Sequence, residues 1–171
     1  MSANLRRKQI EEYLKENTEP ISATALAKKF LVSRQVIVGD IALMRAAGLS
    51  ISATPRGYII NAENSDEEYT FTIACNHGYE NIAEELYAVV DNGGSIIDVT
   101  VEHPVYGQIV GELRIFSRYD ADIFLKNIEE NKAQPLFRLT GGIHLHTIRC
   151  KDAETKERIL DALQKENVLY K

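Results

Sequence analysis

Residues 22–35 read Ser22-Ala23-Thr24-Ala25-Leu26-Ala27-Lys28-Lys29-Phe30-Leu31-Val32-Ser33-Arg34-Gln35. Ala23, Leu26, Ala27 and Phe30 fall at i, i+3, i+4 and i+7, which predicts a short helix over 23–30 with one buried stripe and Ser22 as its N-cap. Leu31-Val32 leaves room only for a tight connection before Ser33, a second N-cap, opens a helix reaching about residue 47, where Gly48 stops it. On that helix Val36, Ile41, Leu43 and Met44 read as the buried set, and Arg34 and Gln35 stay on the exposed first turn. That is where a recognition helix presents side chains to the major groove. Arginine pairs bidentately with guanine and glutamine with adenine, while Ser33 can reach a phosphate.

Upstream, Leu5, Ile10, Tyr13 and Leu14 share one helical face, and the helix ends near Asn17 before Pro20. Downstream, short strands over 49–53 and 58–60 flank the turn Thr54-Pro55-Arg56-Gly57, a wing with Arg56 at its tip for the DNA backbone or minor groove. Three helices and a hairpin in this order predict a winged helix-turn-helix over residues 1–62. The same frame can serve as a protein-interaction module, but the charge favours DNA. Residues 1–62 carry nine lysines and arginines against five acids, net +4, within a chain whose net charge is -5. The rest is left with 11 basic and 20 acidic residues, net -9. A basic half meets a polyanion, and the acidic half does something else. The polar stretch over 61–68 marks the boundary.

Ile21-Ser22-Ala23-Thr24-Ala25-Leu26-Ala27, Val32-Ser33-Arg34-Gln35, Gly39-Asp40-Ile41 and Arg56-Gly57-Tyr58 resemble the winged helices of biotin-repressor-type regulators over residues 5–60. That family commonly has arginine where Gly39 stands. Glycine here removes a potential DNA contact and costs about 1 kcal/mol of helix propensity relative to alanine.

No stretch reaches the roughly 18 apolar residues of a membrane span, and the start leads into a charged amphipathic helix, so a cytoplasmic protein without membrane contact is expected. Cys75 and Cys150 form no Cys-x-x-Cys pair and are expected as reduced thiols. Cys75 suits packing as a small apolar residue better than ligation through its Cys-x-His spacing.

In the second half, strands are predicted over 69–74, 96–101, 109–115 and within 143–150. Helices are predicted over about 82–92, 119–131 and 153–166, the last two capped by Ser117 and Asp152. The order predicts an α+β domain over 69–171, an open-faced antiparallel sheet with helices on one face. All four histidines lie here. His144 and His146 project from one side of a strand. His77 follows the first strand in Cys75-Asn76-His77-Gly78, and Glu85 shares the stripe of Ile82, Leu86 and Val89, where a carboxylate wants a partner or a cation. Three imidazoles and a carboxylate suit zinc, nickel, iron or manganese. Spacing alone leaves that site level with a solvated Glu85 and an ordinary loop histidine.

His77-Gly78, Glu84-Glu85-Leu86, His103-Pro104-Val105-Tyr106-Gly107 and Gly141-Gly142-Ile143-His144-Leu145-His146 are similar to the three-histidine domain of niacin-responsive repressors. With the winged helix, the resemblance covers nearly the whole chain. It implies a homodimeric, non-enzymatic repressor of niacin-uptake and NAD-synthesis genes that binds operator DNA with nicotinic acid as co-repressor. It also implies a divalent metal, zinc or nickel ahead of iron or manganese, at His77, Glu85, His144 and His146. For the pyridine carboxylate, His103 is the expected contact, with Tyr106, Phe116 and Arg114 or Arg118 as further candidates; the other reading of His103 is a histidine that stabilises a turn. The alternatives are a metal-dependent hydrolase tethered to a winged helix and a repressor for which the metal itself is the signal.

Overall fold

Ile10 and Leu14 stand one turn apart on α1 (Ala3–Glu16) and are both buried, which turns one stripe of that helix inward. In the computed structural model, which describes residues 2–60 and 69–171, they meet Leu26, Ala27 and Phe30 of α2 (Ala23–Phe30) and Ile37, Ile41 and Met44 of α3 (Arg34–Ala46). Ser2, Ser22 and Ser33 each accept from the amide three residues on, at 3.3, 3.1 and 3.2 Å, satisfying donors that a helix start leaves orphaned. Leu31, at φ 55°, makes the tight connection between α2 and α3. The buried stripe of α3 differs from expectation. Val36 and Leu43 are 37% and 57% exposed, and Ile37 is fully buried. Ile41 and Met44 bury as expected, but Ile37 joins them in place of Val36 and Leu43, because Ile37, Ile41 and Met44 at i, i+4 and i+7 form the face that meets α1 and α2.

Asp40 is also buried on α3, and two arginines of α1 answer it. Arg6 Nε and Nη2 lie 2.6 and 3.3 Å from its carboxylate, and Arg7 Nη1 lies 3.4 Å away. Part of the sequence's positive excess is therefore spent inside the unit, clamping α1 to α3. The hairpin of β1 (Ile51–Thr54) and β2 (Gly57–Ile60) closes this unit. Tyr58 exchanges both main-chain hydrogen bonds with Ile21, at 2.9 and 2.8 Å. Gly57, at φ 137°, passes so close that a Cβ would lie 2.3 Å from the Ile21 carbonyl carbon.

The chain divides into two units, Met1–Ser65 and Asp66–Lys171. The boundary segment expected over 61–68 lies outside the described residues. The second unit runs β3 (Tyr69–Asn76), α4 (Ile82–Val90), β4 (Ser95–His103), β5 (Gly107–Ile115), α5 (Arg118–Glu130), β6 (Ile143–Cys150) and α6 (Ala153–Lys165). Its sheet is antiparallel throughout, in the order β3-β6-β4-β5, so the last strand enters the middle. Buried residues alternate along β6 as His144, His146, Ile148 and Cys150, and their side chains share the face that packs against the helices. Ser117 and Asp152 cap α5 and α6 as expected. Residues 168–170 lie along the outer edge of β3, where Asn76 N donates to the Val168 carbonyl and Tyr170 N to that of Ala74, both at 2.9 Å. Among the described residues, no helix is long and apolar enough to cross a membrane.

Candidate functional site

Antiparallel register brings Cys75 opposite His144 and Ile73 opposite His146. His77 follows the end of β3, and Glu85 descends from α4. His77 Nε2 lies 2.9 Å from Glu85 Oε2, while His144 Nε2 and His146 Nε2 lie 3.1 and 3.3 Å from Glu85 Oε1. All four side chains are at most 4% exposed. The four residues singled out by sequence as metal ligands thus converge on one point. Cys75 Sγ, a Glu85 oxygen and a His144 ring nitrogen also lie within 4.8 Å of one another.

The other ring nitrogens decide the chemistry. His77 Nδ1 is 2.8 Å from the Gly78 carbonyl, His144 Nδ1 2.8 Å from that of Gly142 and His146 Nδ1 2.7 Å from that of Asp98. A carbonyl only accepts, so each Nδ1 carries the proton, and in the neutral ring each Nε2 is a bare lone pair. Three lone pairs then face a carboxylate, which is repulsive unless a cation intervenes. His77 Nε2, despite its closeness to Glu85, makes no hydrogen bond at all. Protons answer only in part, since they place like charges on buried rings whose centroids are 4.9 Å apart. The donor set of imidazoles and carboxylate fits a divalent transition metal.

The electrostatics have the same sense. Burial works to raise the Glu85 carboxyl, but the charge of His146 and the contacts from His144, His146 and His77 hold it well below the usual range. Burial works to lower His77 and His146, yet adjacent Glu85 leaves both raised. Burial, followed by the charge of Glu85, pushes the Cys75 thiol far up, which keeps it neutral in the absence of a metal.

Gly142 sets His144 in place. Its φ is 112°, and a Cβ there would stand 2.6 Å from Asn76 Oδ1 and 3.1 Å from the His77 carbonyl oxygen. Only glycine lets this main chain pass the end of β3 and present its carbonyl to His144. Sequence reasoning missed two supports. The bulge of β4 between Ile96 and Asp98 aims the Asp98 carbonyl at His146. Phe137, in the 3-10 turn Leu136–Thr140, stacks on His144 at 5.1 Å and meets His77 edge-on at 5.4 Å. Pro135 and the Gly141-Gly142 pair hint at an ordered turn, but nothing local indicates what it covers.

Beside the cluster lies a cavity of about 210 Å³, walled by Val99, Leu113, Phe124, Ile128, Leu136 and Phe137. Glu85, His144 and His146 belong to its lining. None of the five residues expected at the effector lines it. His103 Nδ1 accepts from the amides of Val105 and Tyr106 at 3.2 and 3.3 Å, closing the turn between β4 and β5, and the Tyr106 ring is exposed beside it. Arg118 pairs with Asp91 and lies 3.9 Å over the Tyr87 ring. Arg114, at φ 50°, lies 5.9 Å from the exposed Phe116 ring. The lining of the cavity comes instead from other residues of α4, β4, β5, α5, the segment after α5 and β6.

In the first unit, Ser33 is engaged as the cap of α3, while Arg34 and Gln35 are exposed on its first turn as expected. Arg56 occupies the wing turn, with Nη2 2.8 Å from Glu19 Oε2. Gly39 is exposed, and a Cβ there would meet nothing within 4 Å, so packing does not demand glycine.

The family model of the HTH domain matches residues 6–59, and that of the 3H domain matches residues 70–171. The chain is 46% identical over 164 residues to a probable transcription repressor, NiaR, of Thermotoga maritima, covering 96% of this chain and 93% of that protein. It is 40% identical over 173 residues to the transcription repressor NadR of Bacillus subtilis, covering 100% of this chain and 96% of that protein. Both relatives bear the names of repressors, not of hydrolases. An exposed recognition-helix start, a basic wing and a second unit built around three histidines agree with these matches: the chain belongs to the DNA-binding transcription repressors that join an HTH domain to a 3H domain.

Proposed function

We propose that this repressor acts in the cytoplasm as a homodimer on operators of niacin-uptake and NAD-synthesis genes, with nicotinic acid as co-repressor and a divalent metal held by His77, Glu85, His144 and His146. The observation that carries the metal is the set of three Nε2 atoms turned on one buried carboxylate while every Nδ1 is held by a main-chain carbonyl. Support for a small organic effector comes from the apolar cavity bordering those donors. The DNA contacts proposed are Arg34 and Gln35 to bases and Ser33 and Arg56 to backbone or minor groove. Effector and metal favour the conformation or dimer arrangement that spaces two recognition helices about 34 Å apart, so DNA affinity rises by the difference in effector affinity between states.

A hydrolase finds less support, because a water-activating base beside the cluster is wanted and Glu84, the nearest acid in sequence, is exposed and does not line the cavity. The test is a titration of operator-length DNA with zinc-loaded protein, with and without nicotinic acid, for the natural chain and for His144→Ala and His146→Ala. Tightening by nicotinic acid in the natural chain, lost in both variants, is the expected result. Equal affinity with and without nicotinic acid at saturating zinc rejects niacin as effector and leaves the metal as the signal.

A further inference from the structure

Resting on the DNA contacts proposed for α3, we infer that this helix selects thymine: Val38 and Ala42 pack against thymine methyl groups in the major groove, and Gly39 between them leaves the base it faces unread. Residues 35, 38, 39 and 42 fall at i, i+3, i+4 and i+7, so they share one face of α3, with the spacing by which a recognition helix lines up side chains along the groove. Gln35, Gly39 and Ala42 are exposed. Val38 is half-buried, yet it belongs neither to the core around Ile37, Ile41 and Met44 nor to the hydrophobic residues packed against that core.

The chemistry of this face changes along its length. Arg34 and Gln35 offer hydrogen-bond donors at the start of the helix, and beyond Gln35 the face holds no hydrogen-bonding side chain as far as Ala42. Asp40, the one polar residue in between, is 4% exposed and is held by Arg6 and Arg7, so it turns no charge toward DNA. The major groove displays one apolar group, the C5 methyl of thymine, among edges that otherwise donate and accept hydrogen bonds. Against that methyl, Val38 and Ala42 remove apolar surface from water on both sides. Against an amino or keto group they strip its water and return no hydrogen bond, which penalises the other bases.

Gly39 supplies the contrast. A Cβ there would meet nothing within 4 Å, so a long side chain can be placed on the reading face without disturbing the core.

The test uses the full chain, zinc-loaded, with and without nicotinate, to select duplexes from a randomised library. Each thymine of the selected half-site is then replaced by uracil, which removes the methyl and nothing else. Affinity is expected to fall about fourfold at a thymine that meets Val38 or Ala42, as burial of a single carbon implies. Val38→Ala and Ala42→Gly are each expected to make one such thymine indifferent to uracil. The thymine-to-uracil ratio is taken within each variant, so a variant that folds less well does not disguise the result. Gly39→Arg is expected to keep the thymines and add a guanine preference at one further position. Uracil tolerated at every thymine, or a uracil penalty that survives both Val38→Ala and Ala42→Gly, overturns the inference, as does Gly39→Arg selecting the natural sites unchanged. If Arg34→Ala and Gln35→Ala also leave the selected sequence as it was, the contacts proposed for α3 fail with it. If those two variants change the sequence, α3 remains the reader and only the thymine assignment falls.

Discussion

Glu85 is 2% exposed and within 3.3 Å of three imidazole nitrogens. Replacing it by glutamine keeps the shape and removes the negative charge, so Glu85→Gln is expected to weaken zinc binding beyond the roughly 10–100-fold typical of losing an outer-shell partner. Competition against a chromophoric chelator measures this, and an unchanged zinc affinity would show that Glu85 is not a ligand. The residue was legible in sequence as a candidate, because a carboxylate on the stripe of Ile82, Leu86 and Val89 wants a partner if it is buried, but the stripe alone left a solvated Glu85 equally open. His103 was not legible in the same way. A histidine after a strand can face a ligand or close its own turn, and the Val105 and Tyr106 amides take its Nδ1.

At the scale of elements, the caps and apolar periods placed the described helices and strands within a few residues of where they lie, since both are local properties. The phase of α3 was harder. Val36 and Leu43 are as apolar as the residues that bury, and only the positions of α1 and α2 select Ile37 and leave those two outward. α3 also carries a testable weakness. Gly39 is exposed with open space around its Cα, so Gly39→Ala is expected to stabilise the HTH unit by up to about 1 kcal/mol through helix propensity alone. Denaturant unfolding of the full chain, followed through the helical signal, checks it. A loss of stability would mean that the glycine serves a purpose its surroundings do not show.

The whole molecule should reveal the cluster through pH. In the metal-free protein, burial opposes protonation of His77 and His146, but Glu85 overrides it and raises both above the ordinary 6.5. Their contribution is therefore complete below about 6.5 and lost as pH rises through the raised folded values. Glu85 is depressed despite its burial, so its contribution is complete above about 4.5 and lost as pH falls through its folded value. The cluster favours folding most between those limits. Zinc competes with the same protons, so the rise in Tm on adding zinc is expected to be larger at pH 8 than at pH 5.5. Scanning calorimetry at both values measures it, and an equal or reversed zinc effect would remove these histidines from the metal site.

The sequence by itself determined the order of elements, the two-unit plan and the exposed Arg34 and Gln35, because period, capping and residue chemistry act over a few positions. The four donors it offered as candidates by residue type, and the family resemblance, not spacing, singled them out as a set. Only the tertiary structure decided where the donors meet and what lies beside them. His144 and Glu85 are 59 residues apart and touch because β6 enters between β3 and β4 beneath α4. Phe124, Leu136 and Phe137 become cavity walls through the same closure, although nothing in their own stretch distinguishes them from ordinary core residues. Sheet order is set by long-range packing, and a local pattern carries no record of the partner it will meet.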